Sequence, residues 1–204
     1  MKRVALKKKS KNEIPICNSE KEKLALRLES EGDFKGAENI YRYIITEGTK
    51  KYDIFLRLAS LLFRRYVSSE VPQLIRQTID LNPNCPEAYF ILAMYYKKQE
   101  NYKLAILNLN KSIELKHDFI DAYINLGNIF LYLKDTNSAI LSYKEALSID
   151  NNIPELYFNC GKAYFESGNI ELAKDLYEKA ILIKPDFIEA YINLAEIYKF
   201  QNNI

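Results

Sequence analysis

The chain has 204 residues, 48% of them apolar, with six Gly and six Pro, which excludes a disordered chain and allows a sizeable core. Formal net charge is +2, but six bases fall within residues 1–11, leaving 23 bases against 27 acids in residues 12–204. A mildly acidic body excludes a broad phosphate-binding surface.

Cys17, Cys85 and Cys160 are too few and too scattered for a disulfide framework; they fit a reducing compartment, and the expected location is cytoplasmic. Residues 1–17 hold Lys2, Arg3, Lys7, Lys8, Lys9 and Lys11 and are broken by Pro15. They read as a basic, disordered arm, able at most to touch a polyanion weakly. Val4-Ala5-Leu6 runs straight into three lysines, so no secretory h-region follows the basic start. No window reaches the roughly 18 apolar residues of a membrane span.

From Asn18 a period takes over. Phe55, Tyr89, Tyr123, Tyr157 and Tyr191 stand 34 residues apart without an insertion. Four residues after each comes a small residue (Ala59, Ala93, Gly127, Gly161, Ala195), and three further on a large one (Leu62, Tyr96, Phe130, Tyr164, Tyr198). Positions i, i+4 and i+7 form one face of an α-helix. A second stripe follows in each unit: Ala37, Val71, Ala105, Ala139 and Ala173, each followed after four residues by Tyr41, Ile75, Leu109, Tyr143 or Tyr177. Gly32-Asp33, Asn101 and Gly168-Asn169 mark turns between the paired helices. Pro83 and Pro185 mark the ends of second helices. Pro72 falls early in its helix, which is expected to begin near Ser69. The expected packing sets the small residue of one helix against the small residue of its partner, with large residues interdigitating on either side. One pair cannot bury both faces, so pairs must stack.

These residues and their spacing resemble the tetratricopeptide repeat. The resemblance covers residues 18–204 as units 18–51, 52–85, 86–119, 120–153 and 154–187 with a half unit 188–204. It is close in LYFNCGKAYFESGNIELAKDLYEKAILIKP and weaker at 18–51, where Lys21 replaces the first aromatic. It implies an all-α fold, a right-handed superhelical solenoid of antiparallel helix pairs, with the first helices lining a concave face where partners bind as extended peptides. Toward that face project Leu56, Phe90, Ile124, Phe158 and Ile192, then Asn125, Asn159 and Asn193. Asn128 and Lys162 follow three residues later, and Phe63, Lys97, Leu131, Phe165 and Lys199 lie a turn beyond. The expected groove is Phe90, Lys97, Ile124, Asn125, Asn128, Leu131, Phe158, Asn159, Lys162 and Asn193. A side-chain amide both donates and accepts, so an asparagine row can hold a peptide backbone whatever its side chains. This row resembles the asparagine ladder of the O-GlcNAc transferase repeat domain, while asparagine is also common at this place in ordinary repeats.

Catalytic signatures are missing from the sequence: there is no glycine-rich phosphate loop, no G-x-S-x-G elbow and no zinc spacing. Neither a metal nor a cofactor is expected. His117 reads as a turn residue and Cys160 as a small core residue. The acidic row Asp53, Glu87, Asp121, Glu155 and Glu189 falls in first turns, where the helix dipole favours carboxylates; a rim for a basic ligand is its other reading. A chaperone-type carboxylate clamp is not supported, since Leu56, Phe90 and Ile124 stand where it needs cations. At residues 188–204 the last helix is either a cap or an apolar end that docks a second copy or another protein.

The function expected is a non-enzymatic scaffold that holds an extended segment of a partner protein. Two rivals are an RNA-binding helical repeat and a targeting module related to the repeat region of a larger glycosyltransferase-like enzyme. The 34-residue period and acidic body speak against RNA.

Overall fold

The computed structural model describes residues 18–202; the basic arm expected at 1–17 lies outside the described residues, as do residues 203–204. Within the described residues the chain is eleven α-helices and no strand. They are α1 (Asn18–Ser30), α2 (Phe34–Thr46), α3 (Tyr52–Tyr66), α4 (Val71–Leu81), α5 (Pro86–Lys98), α6 (Tyr102–Leu115), α7 (Ile120–Tyr132), α8 (Thr136–Ile149), α9 (Pro154–Glu166), α10 (Ile170–Ile183) and α11 (Ile188–Asn202). Odd-numbered helices start at the six positions where the 34-residue frame begins.

Local chemistry explains the boundaries. Pro86 and Pro154 open α5 and α9, where a missing N–H has no helical partner to lose. Acids occupy the first turns of α3, α5, α7, α9 and α11, the favourable end of each dipole. Asp33, Asn101 and Asp135 cap α2, α6 and α8 by accepting from the backbone N–H of Gly36, Leu104 and Ser138 at 2.9, 3.2 and 3.1 Å. The turn inside each pair takes one residue into the left-handed region: Gly32, Val67, Glu100, Lys134 and Gly168, with φ from 47° to 84°. Glycine reaches it freely; Glu100 and Lys134 hold it at a cost of about 1 kcal/mol each.

The start of α4 differs from expectation. It begins at Val71, two residues after Ser69, with Pro72 in its first turn. The reason lies upstream: α3 runs 15 residues to Tyr66, against 13 in α5, so its left-handed cap falls at Val67. Ser68 then accepts from the N–H of Val71 at 3.1 Å and, through its hydroxyl, from that of Glu70 at 3.2 Å.

Each helix packs on the next in sequence, and α3 also packs on α5 and α7 on α9. This is the contact pattern of pairs stacked into a right-handed superhelical solenoid. Ala37, Val71, Ala105, Ala139 and Ala173 are buried on the second helices, as are Tyr41, Ile75, Leu109, Tyr143 and Tyr177. Successive buried clusters bridge successive pairs, one joining α1 to α5 and others continuing to α11. The polar Thr78 and Ser112 are satisfied inside, donating to the carbonyls of Leu74 (3.0 Å) and Pro86 (2.9 Å).

One packing expectation is corrected. Gly127 and Gly161 do not serve chiefly to meet the small residues Ala139 and Ala173. A Cβ built on Gly127 would lie 2.6 Å from Cε1 of Tyr143, and one on Gly161 2.8 Å from Cε1 of Tyr177. The missing side chains make room for tyrosine rings. Ala173 enters only at 3.3 Å, through its carbonyl oxygen.

Candidate peptide-binding face

Among the first helices α3 packs on α5 and α7 on α9, and three depressions are bordered by first-helix side chains. A cavity of about 400 Å³ is bounded by Glu29 of α1, Phe34 of α2, and Arg57, Ser60, Arg64 and Arg65 of α3. A second, of about 460 Å³, is bounded by Phe63, Met94, Lys97, Lys98, Asn128 and Tyr132, drawn from α3, α5 and α7. A third, of about 210 Å³, is bounded by Lys162, Phe165, Glu166, Tyr177, Asn193 and Glu196.

Of the ten expected groove residues, four line these cavities: Lys97, Asn128, Lys162 and Asn193. Lys97 is half-buried and donates to Oδ1 of Asn125 at 2.8 Å; burial, followed by the charge of Lys98, lowers its pKa. The nearby Asn125 amide also donates to the carbonyl of Asp121 at 2.8 Å, so both of its functions are engaged within the chain. Asn128 accepts from the buried Tyr143 hydroxyl at 2.7 Å, and Asn193 donates to the Tyr177 hydroxyl at 3.3 Å. Asn159, half-buried, has no hydrogen-bond partner among the described residues. The asparagines therefore do not form a uniform row.

The apolar members are spent largely on packing. Phe90 stacks on Phe119 with ring centroids 4.9 Å apart, and Phe158 on Phe187 at 5.1 Å. Ile124 is partly buried against the cluster between α7 and α9. Leu131, expected in the groove, belongs to that cluster's interior with 8% of its surface exposed. It is withdrawn as a contact residue.

The residues missed on sequence are Arg57, Ser60, Arg64, Met94, Lys98, Tyr132, Glu166 and Glu196. Register alone was the available signal: Arg57 stands 68 residues before Asn125, and Arg64, Lys98, Tyr132 and Glu166 follow one another at 34. No cluster of His, Cys, Asp and Glu able to hold a metal occurs among the described residues. His117 is exposed in its turn, and Cys160 is buried in the core, which pushes its thiol up to about 11. No helix among the described residues is long and apolar enough to cross a membrane.

Sequence profiles described as TPR repeat match residues 127–168 and 161–202, and one described as tetratricopeptide repeat matches 86–119. The chain belongs to the tetratricopeptide repeat proteins. Its fold is similar to a crystal structure of MamA, with TM-score 0.74 and 22% identity over 84% of this chain and 94% of that one. It is also similar to YrrB, described as a TPR protein with an unusual peptide-binding site, with TM-score 0.71 and 18% identity over 85% and 90% of the two chains. A third is a thermophilic TPR protein of Thermus thermophilus, with TM-score 0.62 and 16% identity over 89% and 99%. No curated protein sequence matches.

Proposed function

We propose that this chain is a non-enzymatic interaction scaffold that holds an extended segment of a partner protein along its first-helix face. The observation that carries the reading is the set of three cavities bordered by first helices, where Arg57, Arg64, Lys97, Asn128, Lys162 and Asn193 stand beside residues of the core. Open depressions repeated along a solenoid suit a linear ligand, where a single enclosed pocket would suit a small molecule. The structural likeness to YrrB, a protein with a peptide-binding site, supports the same use. The ligand-facing residues are Lys97, Asn128, Asn159, Lys162 and Asn193, with Phe90, Ile124, Asn125 and Phe158 shaping the floor. The buried, unpaired Cys85 and Cys160 suit a cytoplasmic setting.

The test is a photo-crosslinking residue at position 159, compared with one at the exposed Glu145 on a second helix. Partner peptides recovered from 159 and not from 145 support the face; equal recovery from both refutes it.

The same scaffold is proposed to associate with a second copy through α11. Ile188 and Ile192 there are 67% and 53% exposed, beside a half-exposed Tyr191. A strictly monomeric mass across micromolar concentrations contradicts that.

A further inference from the structure

We propose that the N-terminal half of the first-helix face is an anchor for an acidic peptide. One carboxylate of the ligand pairs with Arg57 and Arg64, and a second, three residues along, pairs with Lys97 and Lys98. This rests on the groove reading and narrows it to a ligand chemistry.

Arg64, Lys97 and Lys98 carry no ion pair among the described residues where other cations on the chain do, and Arg57 adjoins Tyr41 and Glu29. Arg42, Lys51, Arg65, Lys134 and Lys184 all pair with glutamates. Arg64 and Lys98 have no ion pair or hydrogen bond among the described residues, and Lys97 reaches only an amide. All three line the cavities, where Glu29 is the only carboxylate beside Arg57 and Arg64 among the described residues.

The sign of the face changes along the array. At one register position the residues are Arg64, Lys98, Tyr132 and Glu166; at another, Ser60, Met94, Asn128, Lys162 and Glu196. Positive charge gathers over α3 and α5, whereas the cavity over α9 and α11 holds Glu166 and Glu196 with one cation, Lys162. A ligand matched to this surface is acidic at one end only.

The first cavity is backed by a buried tyrosine. Tyr41 is fully buried. Its neighbours are Glu29 and Arg57, both of which line the first cavity. The corresponding tyrosines, Tyr143 and Tyr177, are satisfied by Asn128 and Asn193 on the same face.

Spacing sets the ligand's pattern. Packed neighbouring helices such as α3 and α5 lie about 8–10 Å apart, and an extended chain advances about 3.3 Å per residue. One repeat step is thus about three residues, giving acid-x-x-acid. Phe63, Met94 and Ile129 in the second cavity favour an apolar side chain beside the second acid.

Two pools of capped decapeptides test this against the full chain, with bound peptide quantified by mass spectrometry at low and raised salt. One pool carries Asp or Glu at both acid positions beside an apolar residue; the other carries Asn or Gln there. The expected result is about tenfold preference for the acidic pool at low salt. R57Q/R64Q removes the preference, and so does K97Q/K98Q, whereas K162Q keeps it. Melting curves check that each variant is folded. Equal retention of both pools overturns the acidic preference and leaves the groove reading standing. Retention of neither pool overturns both. Displacement of the acidic pool by a more tightly held RNA oligonucleotide reassigns the cations to nucleic acid and overturns the proposal.

Discussion

Gly127→Ala is the substitution on which the packing account stands or falls, because two effects of opposite sign meet there. Alanine is worth about 1 kcal/mol more than glycine inside a helix, so a glycine with no packing duty is improved by the change. Here the added Cβ lies 2.6–2.8 Å from three atoms of the Tyr143 ring, which is buried and cannot swing into solvent. Overpacking costs about 1–3 kcal/mol. The ring's retreat also strains the 2.7 Å bond from its hydroxyl to Asn128, worth about 0.5–1.5 kcal/mol. The first pair, in which Ala25 and Tyr41 are both buried at the same register, shows that the combination folds. Net destabilisation of about 1–2 kcal/mol follows, or a fall of roughly 2–8 °C in the melting midpoint for an array of this size. Circular dichroism melts measure it. Adding Tyr143→Leu, which recreates the Ala93 and Leu109 combination of the third pair, restores most of the loss. A midpoint that rises in Gly127→Ala shows that helix propensity alone operates and refutes the ring-clearance argument.

Three other outcomes are expected. Glu38, 3% exposed, accepts from Tyr66 (2.6 Å), Arg42 (3.0 Å) and Arg65 (3.2 Å), tying the first pair to the second. Burial works against its charge, but the bonds from Tyr66 and Arg42 and the charges of Lys35 and Arg42 hold its pKa below the ordinary carboxylate value. Its contribution is therefore complete above the unfolded value of about 4.3 and lost as pH falls through the lower folded one. Glu38→Gln should be less stable than wild type at pH 7 by about 1–3 kcal/mol, read from melting curves, with the gap closing below pH ~4; a gap independent of pH contradicts the ionised assignment. Asn128→Ala strands the Tyr143 hydroxyl and should cost about 1–2 kcal/mol, whereas Asn159→Ala should leave the melt unchanged and weaken partner binding. Cys85 and Cys160, both buried with raised thiol pKa values, should resist iodoacetamide in the native chain at pH 8 and react once it is unfolded; labelling of the native chain contradicts the burial.

Much of the fold could be read from the sequence because an uninterrupted 34-residue period carries both stripe and frame, down to first-helix starts at Tyr52, Pro86, Ile120 and Pro154. Periodicity assigns a residue to a face, but not its opposite number across a helix crossing. It therefore matches the glycines to small residues, though rings occupy the space. The same gap affects the candidate face. Phe90 and Phe158 are legible as apolar residues on the binding side, but their stacking on Phe119 and Phe187, the last residues of the same units, joins positions that the helical period does not pair. Leu131 is lost from the groove for a similar reason, since the cluster that buries it spans α7 to α9.

The arginines are hidden by a different cause. Arg57 and Arg64 sit in the second unit, whose turn is shifted by the longer α3, whereas the asparagine row lies in later units where agreement with the repeat is closest. Yet register alone puts Arg57 in line with Asn125 and Arg64 in line with Lys98. Positions facing the partner helix keep to small or apolar residues through five pairs, because each must fit a neighbour of nearly fixed shape. Positions facing outward change from arginine to asparagine to glutamate over the same distance, because no internal neighbour constrains them. That independence is why the packing positions reveal the fold and only the outward rows can select a partner.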